Sequence, residues 1–152
     1  MIKTVNFEAQ RNFKKMLMMI FLGAFFFLLS VYLETLRDSL PEKATDYVSG
    51  YLGTIDFFIL IVALTLGASM IVEDFEKQTG NLLFPKIEKS RLLIGRYLTR
   101  WTYGVIAIFT YYVEIAIITI SKYEELPNTI WNSFGWAILY YHLILSLVFI
   151  IS

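Results

Sequence analysis

The sequence contains no cysteine. That single absence removes disulfides, thiolate metal sites and cysteine nucleophiles together. Only one histidine is present, and the carboxylates other than Glu114 sit mainly in the flanks of apolar runs. No nucleophile with a base and an orienting partner can be assembled from this set, and metal binding is equally poorly supplied. A Gly-x-x-x-x-Gly-Lys-Ser/Thr phosphate loop is missing as well. Thirteen basic and thirteen acidic residues cancel, which leaves no global basic field to attract nucleic acid. No internal repeat of ~20–50 residues and no low-complexity linker divides the chain. The expectation is one domain over residues 1–152, not an intrinsic enzyme, with no catalytic residue, metal or cofactor of its own.

What the chain has in abundance is apolar surface. Of its 152 residues 57% are hydrophobic and 17% aromatic, and the mean hydropathy is +0.62, far above what one soluble core requires. A hydrocarbon layer of about 30 Å takes roughly 20 helical residues to cross. Four runs approach that length: 16–33, 54–72, 101–121 and 134–151. The first, Met16 to Leu33, reaches about 27 Å as a helix. It is too long for a signal peptide and no small-residue cleavage site follows, so it stays as an anchor. The expected fold is all-α, a polytopic membrane helical bundle with four transmembrane helices, seated in the cell membrane.

Basic residues set the expected orientation. Lys3, Arg11, Lys14 and Lys15 precede the first run, and Lys77, Lys86, Lys89, Arg91, Arg96 and Arg100 lie between the second and third. The two remaining loops hold only Arg37, Lys43 and Lys122. Because basic flanks stay cytoplasmic, the N-terminus and the 73–100 segment are expected inside. The last run reaches Ser152 with no polar flank after it, which points to a shortened chain.

The segment 73–91 is the longest polar interval. Val72, Phe75, Thr79, Leu82 and Leu83 recur at helical spacing, with Asp74, Glu76, Lys77, Gln78 and Asn81 on the other sides. Pro85 ends this amphipathic stretch, and Ser90 suits the N-cap of the next helix. Read from periodicity alone, it is either a docking helix or a solvated loop with a turn at the membrane surface.

The run "EDFEKQTGNLLFPKIEKSRLLIGRYLTR" resembles the cytoplasmic segment of type-2 ABC transporter permeases: acidic residues, a Thr-Gly step, paired leucines, a proline, a Ser-Arg pair and a Gly-basic step. Those positions here are Glu73 and Glu76, Thr79 and Gly80, Leu82 and Leu83, Pro85, Ser90 and Arg91, Gly95 and Arg96. The family commonly places Gly before Thr, and here Phe84 stands between the leucines and the proline. The resemblance implies a membrane-spanning permease subunit moving substrate across the bilayer. It implies a coupling helix carried by Glu73, Phe75, Glu76, Thr79, Gly80, Leu82, Leu83, Pro85 and Arg91, docking on a separate ATP-binding subunit that performs hydrolysis. It also implies a second permease subunit, as homo- or heterodimer, and a full complement of six spanning helices, of which this chain would hold the first four.

Ahead of the first run, Ile2, Val5, Ala9, Phe13 and Met16 form an apolar stripe with basic residues elsewhere. Residues 1–15 are expected as an amphipathic interfacial helix, lying on the inner leaflet or sharing the coupling role. Glu114 and His142 fall deep in the third and fourth runs, where ionisable groups are costly and face a partner or a wet cavity. With the runs bounded as above, the two come to similar depth, accompanied by Thr110, Tyr111, Tyr112, Tyr140, Tyr141 and Ser146. This intramembrane polar cluster either locks the two helices or lines the substrate path. The competing reading of the whole chain is a small non-transport membrane protein, an assembly partner or immunity-type factor.

Overall fold

The structure, a computed structural model, describes residues 2–36, 41–67 and 89–151. Five helices make up nearly all of it, with no strand among the described residues. They are α1 (Ile2–Thr35), α2 (Ala44–Leu52), α3 (Ile55–Gly67), α4 (Lys89–Tyr123) and α5 (Thr129–Ile151). Four stretches are long and apolar enough to cross a membrane: Asn12–Leu33, Ala44–Gly67, Leu93–Tyr123 and Thr129–Ile151. The chain is a multi-pass integral membrane protein.

Helix α1 has 34 residues and runs about 51 Å without an end at residue 15, where the sequence reading divides it. No glycine or proline stands there to stop it. Where the stripe of the first fifteen residues can be followed, Phe13 is half exposed, while Asn12 and Met19 are buried and Met16 partly so. The inward face is therefore Asn12, Met16, Met19 and Gly23, one or two turns apart.

The second span begins ten residues before the expected Thr54, because Ala44–Leu52 is already helical. Its polar Thr45, Asp46 and Ser49 face outward and dilute the hydropathy, while Tyr47, Val48 and Tyr51 are buried. The third span starts at Leu93 rather than 101 and the fourth at Thr129 rather than 134. Arg96 and Arg100, read as loop charges, lie inside α4 and are 2% and 1% exposed.

Pairwise contacts give the helix directions. Gly23 approaches Phe58 and Ala107, and Ser30 and Tyr111 both reach Thr54, so α1 and α4 are parallel with α3 antiparallel beside them. Helix α5 runs antiparallel to α4 and parallel to α3: Tyr112 pairs with Ser133, Gly104 meets Tyr141, and Gly67 meets Val148. The core gathers Tyr47, Phe58, Ile59, Val62, Tyr111, Tyr141 and Leu145. Phe21, Phe25, Leu139, Leu143 and Ile150 point outward, the surface that lipid solvates.

Lipid is as apolar as leucine, so these helices associate by close packing and polar contacts rather than by escape from water. Small residues supply the close approach. A Cβ on Gly67 would lie 2.6 Å from Val148 Cγ1, and one on Gly104 would overlap the Tyr141 ring. Ala63 and Gly67, one turn apart on α3, both face inward, with Ala63 fully buried.

Candidate functional site

The expected coupling residues Glu73, Phe75, Glu76, Thr79, Gly80, Leu82, Leu83 and Pro85 lie outside the described residues. Arg91 falls in α4, but its side chain lies outside them too. What is described is the pair of helices bordering that segment. The Arg100 guanidinium donates from Nη1 to the carbonyl of Leu66, in the last described turn of α3. A buried arginine in hydrocarbon needs such acceptors. The Tyr141 hydroxyl in turn donates to the Arg100 carbonyl at 2.8 Å. Helices α3, α4 and α5 are thus tied together at one level, in the last described turn of α3 and three turns into α4.

The polar cluster expected around Glu114 and His142 is not one cluster. Paired levels on α4 and α5 run Tyr112 with Ser133, Gly104 with Tyr141 and Tyr97 with Ser146. His142 consequently lies opposite residue 103, 11 residues and about 16 Å along α4 from Glu114, and its ring meets the hydroxyl of Tyr97 instead. No hydrogen bond or ion pair joins Glu114 to His142, and Glu114 Oε2 is buried without a hydrogen-bond partner. The expected pairing took both helices to start eight and five residues later than they do. The observed levels put Glu114 opposite residue 131, 11 residues and about three turns from His142.

Three separate polar loci replace the cluster. At the first, the second span breaks at Gly53 and Thr54, and the Tyr51 carbonyl left by the break is heavily used. It accepts from Thr54 N at 3.3 Å, from Thr54 Oγ1 at 2.9 Å and from the Tyr111 hydroxyl at 3.2 Å. Thr54 Oγ1 also lies 3.0 Å from Tyr111 Oη and 3.4 Å from Ser30 Oγ. A broken span survives in a bilayer only when its freed backbone groups are satisfied in this way. Thr110, by contrast, is satisfied on its own helix, donating to the Ile106 carbonyl at 3.0 Å.

The second locus is a small cavity of about 180 Å³ beside that break, lined by Asp56, Tyr112, Ser133, Trp136 and Tyr140. Asp56 is an exposed carboxylate within the second span. It lies 12 residues after Ala44, in the first turn of α3, where an acidic side chain complements the helix dipole.

The third locus joins Tyr97, His142 and Ser146 across α4 and α5. Tyr97 Oη is 2.9 Å from His142 Nδ1 and 2.8 Å from Ser146 Oγ, and Ser146 donates to the His142 carbonyl at 2.8 Å. This trio opens onto a groove of about 580 Å³ walled by Leu93, Ile94, Leu98, Phe149 and Ile150.

Sequence reasoning missed Tyr97, Arg100, Ser133 and Thr54. Tyr97 and Arg100 are three residues apart on one face of α4, a signal that was readable once the third helix is extended back through Leu93. Among the described residues no group of three metal-ligating side chains converges. Comparison of the chain with protein-family models, with curated proteins and with solved structures finds no match in any of the three.

Proposed function

We propose that this protein is the membrane-spanning permease subunit of an ATP-driven ABC transporter, with its 73–91 segment docking on a separate ATP-binding subunit. In this reading the N-terminus and that segment face the cytoplasm, and a second permease subunit completes the translocation unit. The motif from Glu73 to Arg96 carries the proposal. The tie from Arg100 to the Leu66 carbonyl supports it mechanically. A force delivered to the segment between α3 and α4 meets an α3 fastened at Leu66 to a point three turns into α4, and through Tyr141 to α5, so the three helices are coupled to move together. The apolar stripe of Phe75, Leu82 and Leu83 suits insertion into a groove of the partner, and the rim charges orient it.

The test is a search beside this gene for one encoding a phosphate-loop ATPase and co-purification with its product, comparing the natural chain with Glu76→Arg; absence of such a gene counts against the proposal. Retention of the ATPase that falls with charge reversal is the expected result. Retention indifferent to Glu76→Arg, or an accessible thiol introduced at Lys86 reacting from outside the cell, overturns the docking role and favours a non-transport membrane protein. Within the same reading, flux through variants Glu114→Gln and His142→Ala separates a substrate path from a helix lock.

A further inference from the structure

Asp56 brings the charge to the cavity beside the break in the second span, and nothing among the described residues answers it. Its carboxylate is exposed and makes no hydrogen bond or ion pair with any of them. The residue stands in the first turn of α3, but a helix N-terminus amounts to only about half a unit charge, so a net negative charge of similar size remains. A space with that balance calls for a cation.

The walls narrow the kind of cation. Calcium and magnesium ask for several oxygen ligands with carboxylates among them, whereas this lining holds a single carboxylate and three large aromatic residues, Tyr112 from α4 with Trp136 and Tyr140 from α5. Trp and Tyr rings attract cations through their negative faces, and clusters of them are a recurrent receptacle for quaternary ammonium groups. Size narrows it further. A cavity of about 150 Å³ holds benzene, so by proportion about 180 Å³ holds roughly seven heavy atoms, which is the size of choline. Asp56 and Trp136 are both exposed, so the cavity is entered from the outer surface of the bundle without any helix moving. That route serves a free solute and the head of a lipid alike.

We infer that this cavity binds a quaternary ammonium group of choline size, with the Asp56 carboxylate as its counter-ion and Tyr112, Trp136 and Tyr140 as its walls. The inference does not depend on an ATPase partner. Because the site is half open, the charge pair is screened and the affinity is modest, in the millimolar range.

A neutral twin of the ligand makes the test clean. The full chain in maltoside micelles, which carry no ammonium group, is titrated with choline and with 3,3-dimethylbutan-1-ol, the same shape with carbon in place of the charged nitrogen. Saturation-transfer NMR on the methyl protons reads binding, with protein-free micelles as the blank. Expected is about tenfold tighter binding of choline than of the alcohol. Asp56→Asn is expected to weaken choline about fivefold and leave the alcohol unmoved, and Trp136→Leu to weaken choline about threefold. Lysophosphatidylcholine then separates the sources: displacing choline at concentrations below those of free choline assigns the site to a lipid head, and the reverse assigns it to a solute. Equal affinity of the natural chain for choline and the alcohol, displacement of choline by equimolar potassium, or choline binding unchanged in Asp56→Asn overturns the inference. The two-probe comparison on the unmodified chain decides the matter even if a variant fails to assemble.

Discussion

Replacing Gly104 by alanine is ordinarily a favourable change inside a helix, gaining about 0.5–1 kcal/mol from backbone entropy. Here the sign should reverse. A Cβ at this position would sit 2.6 Å from Cε1 of Tyr141 and nearer still to Cζ and Oη, inside any separation real Cβ atoms show. Tyr141 has no space to withdraw into, being fully buried, and its hydroxyl is held by the Arg100 carbonyl at 2.8 Å. Relief requires α5 to move off α4 or the ring to swing away. Overpacking of that sort costs about 1–3 kcal/mol, and the lost hydrogen bond adds about 0.5–1.5 kcal/mol. After subtracting the propensity gain, Gly104→Ala is expected to destabilise by about 1–3 kcal/mol in reversible unfolding from mixed detergent micelles. In a Tyr141→Leu background the obstructing ring tip is gone, so the same alanine is expected to stabilise. A Gly104→Ala protein at least as stable as the natural one, or the same sign in both backgrounds, would refute the packing argument.

Gly67→Val is expected to destabilise by about 1–3 kcal/mol through Val148, whose Cγ1 lies 2.6 Å from the Cβ position, and Val148→Ala in the same chain should recover part of it; the same micelle unfolding assay reads both. Tyr111→Phe removes the hydroxyl that serves the Tyr51 carbonyl and Thr54, and is expected to cost about 1–2 kcal/mol. Amide exchange at Ile55–Phe58 should accelerate with it, since the break in the second span loses its clasp. Glu124, just past α4, is the described non-glycine residue with a positive φ, 57°. Glu124→Gly is expected to raise stability by about 0.5–1 kcal/mol, because the left-handed position suits glycine and the site is exposed; a fall in melting temperature would contradict this.

The number of spans was legible because hydropathy over ~20 residues reports on length and little else. Their ends were not, and each miss has a cause. Ala44–Leu52 alternates exposed Thr45, Asp46 and Ser49 with buried Tyr47, Val48 and Tyr51, a pattern that reads as loop by average and as helix by face. Arg96 and Arg100 looked like topological charges, since nothing in the sequence tells an arginine bound to a distant carbonyl from one in water. The Glu114–His142 pairing dissolved as well, because depth read from run boundaries does not fix the register of antiparallel helices, which the Tyr112–Ser133 and Gly104–Tyr141 contacts set. That His142 and Ser146 belong together survived, being a matter of one turn on one helix. The partner Tyr97 lies 45 residues away and no local pattern announces it.

Helix α4 has 35 residues and no proline, a rod about 52 Å long. Even at a steep tilt of about 40° a bilayer covers only about 39 Å of it. Two or more turns must therefore project beyond the oily slab as an unjointed continuation of what is inside. Such an overhang behaves as a crowbar with the bilayer for its fulcrum: a small sideways shove on the protruding tip becomes a rotation of the whole shaft, felt at the opposite surface with its direction inverted.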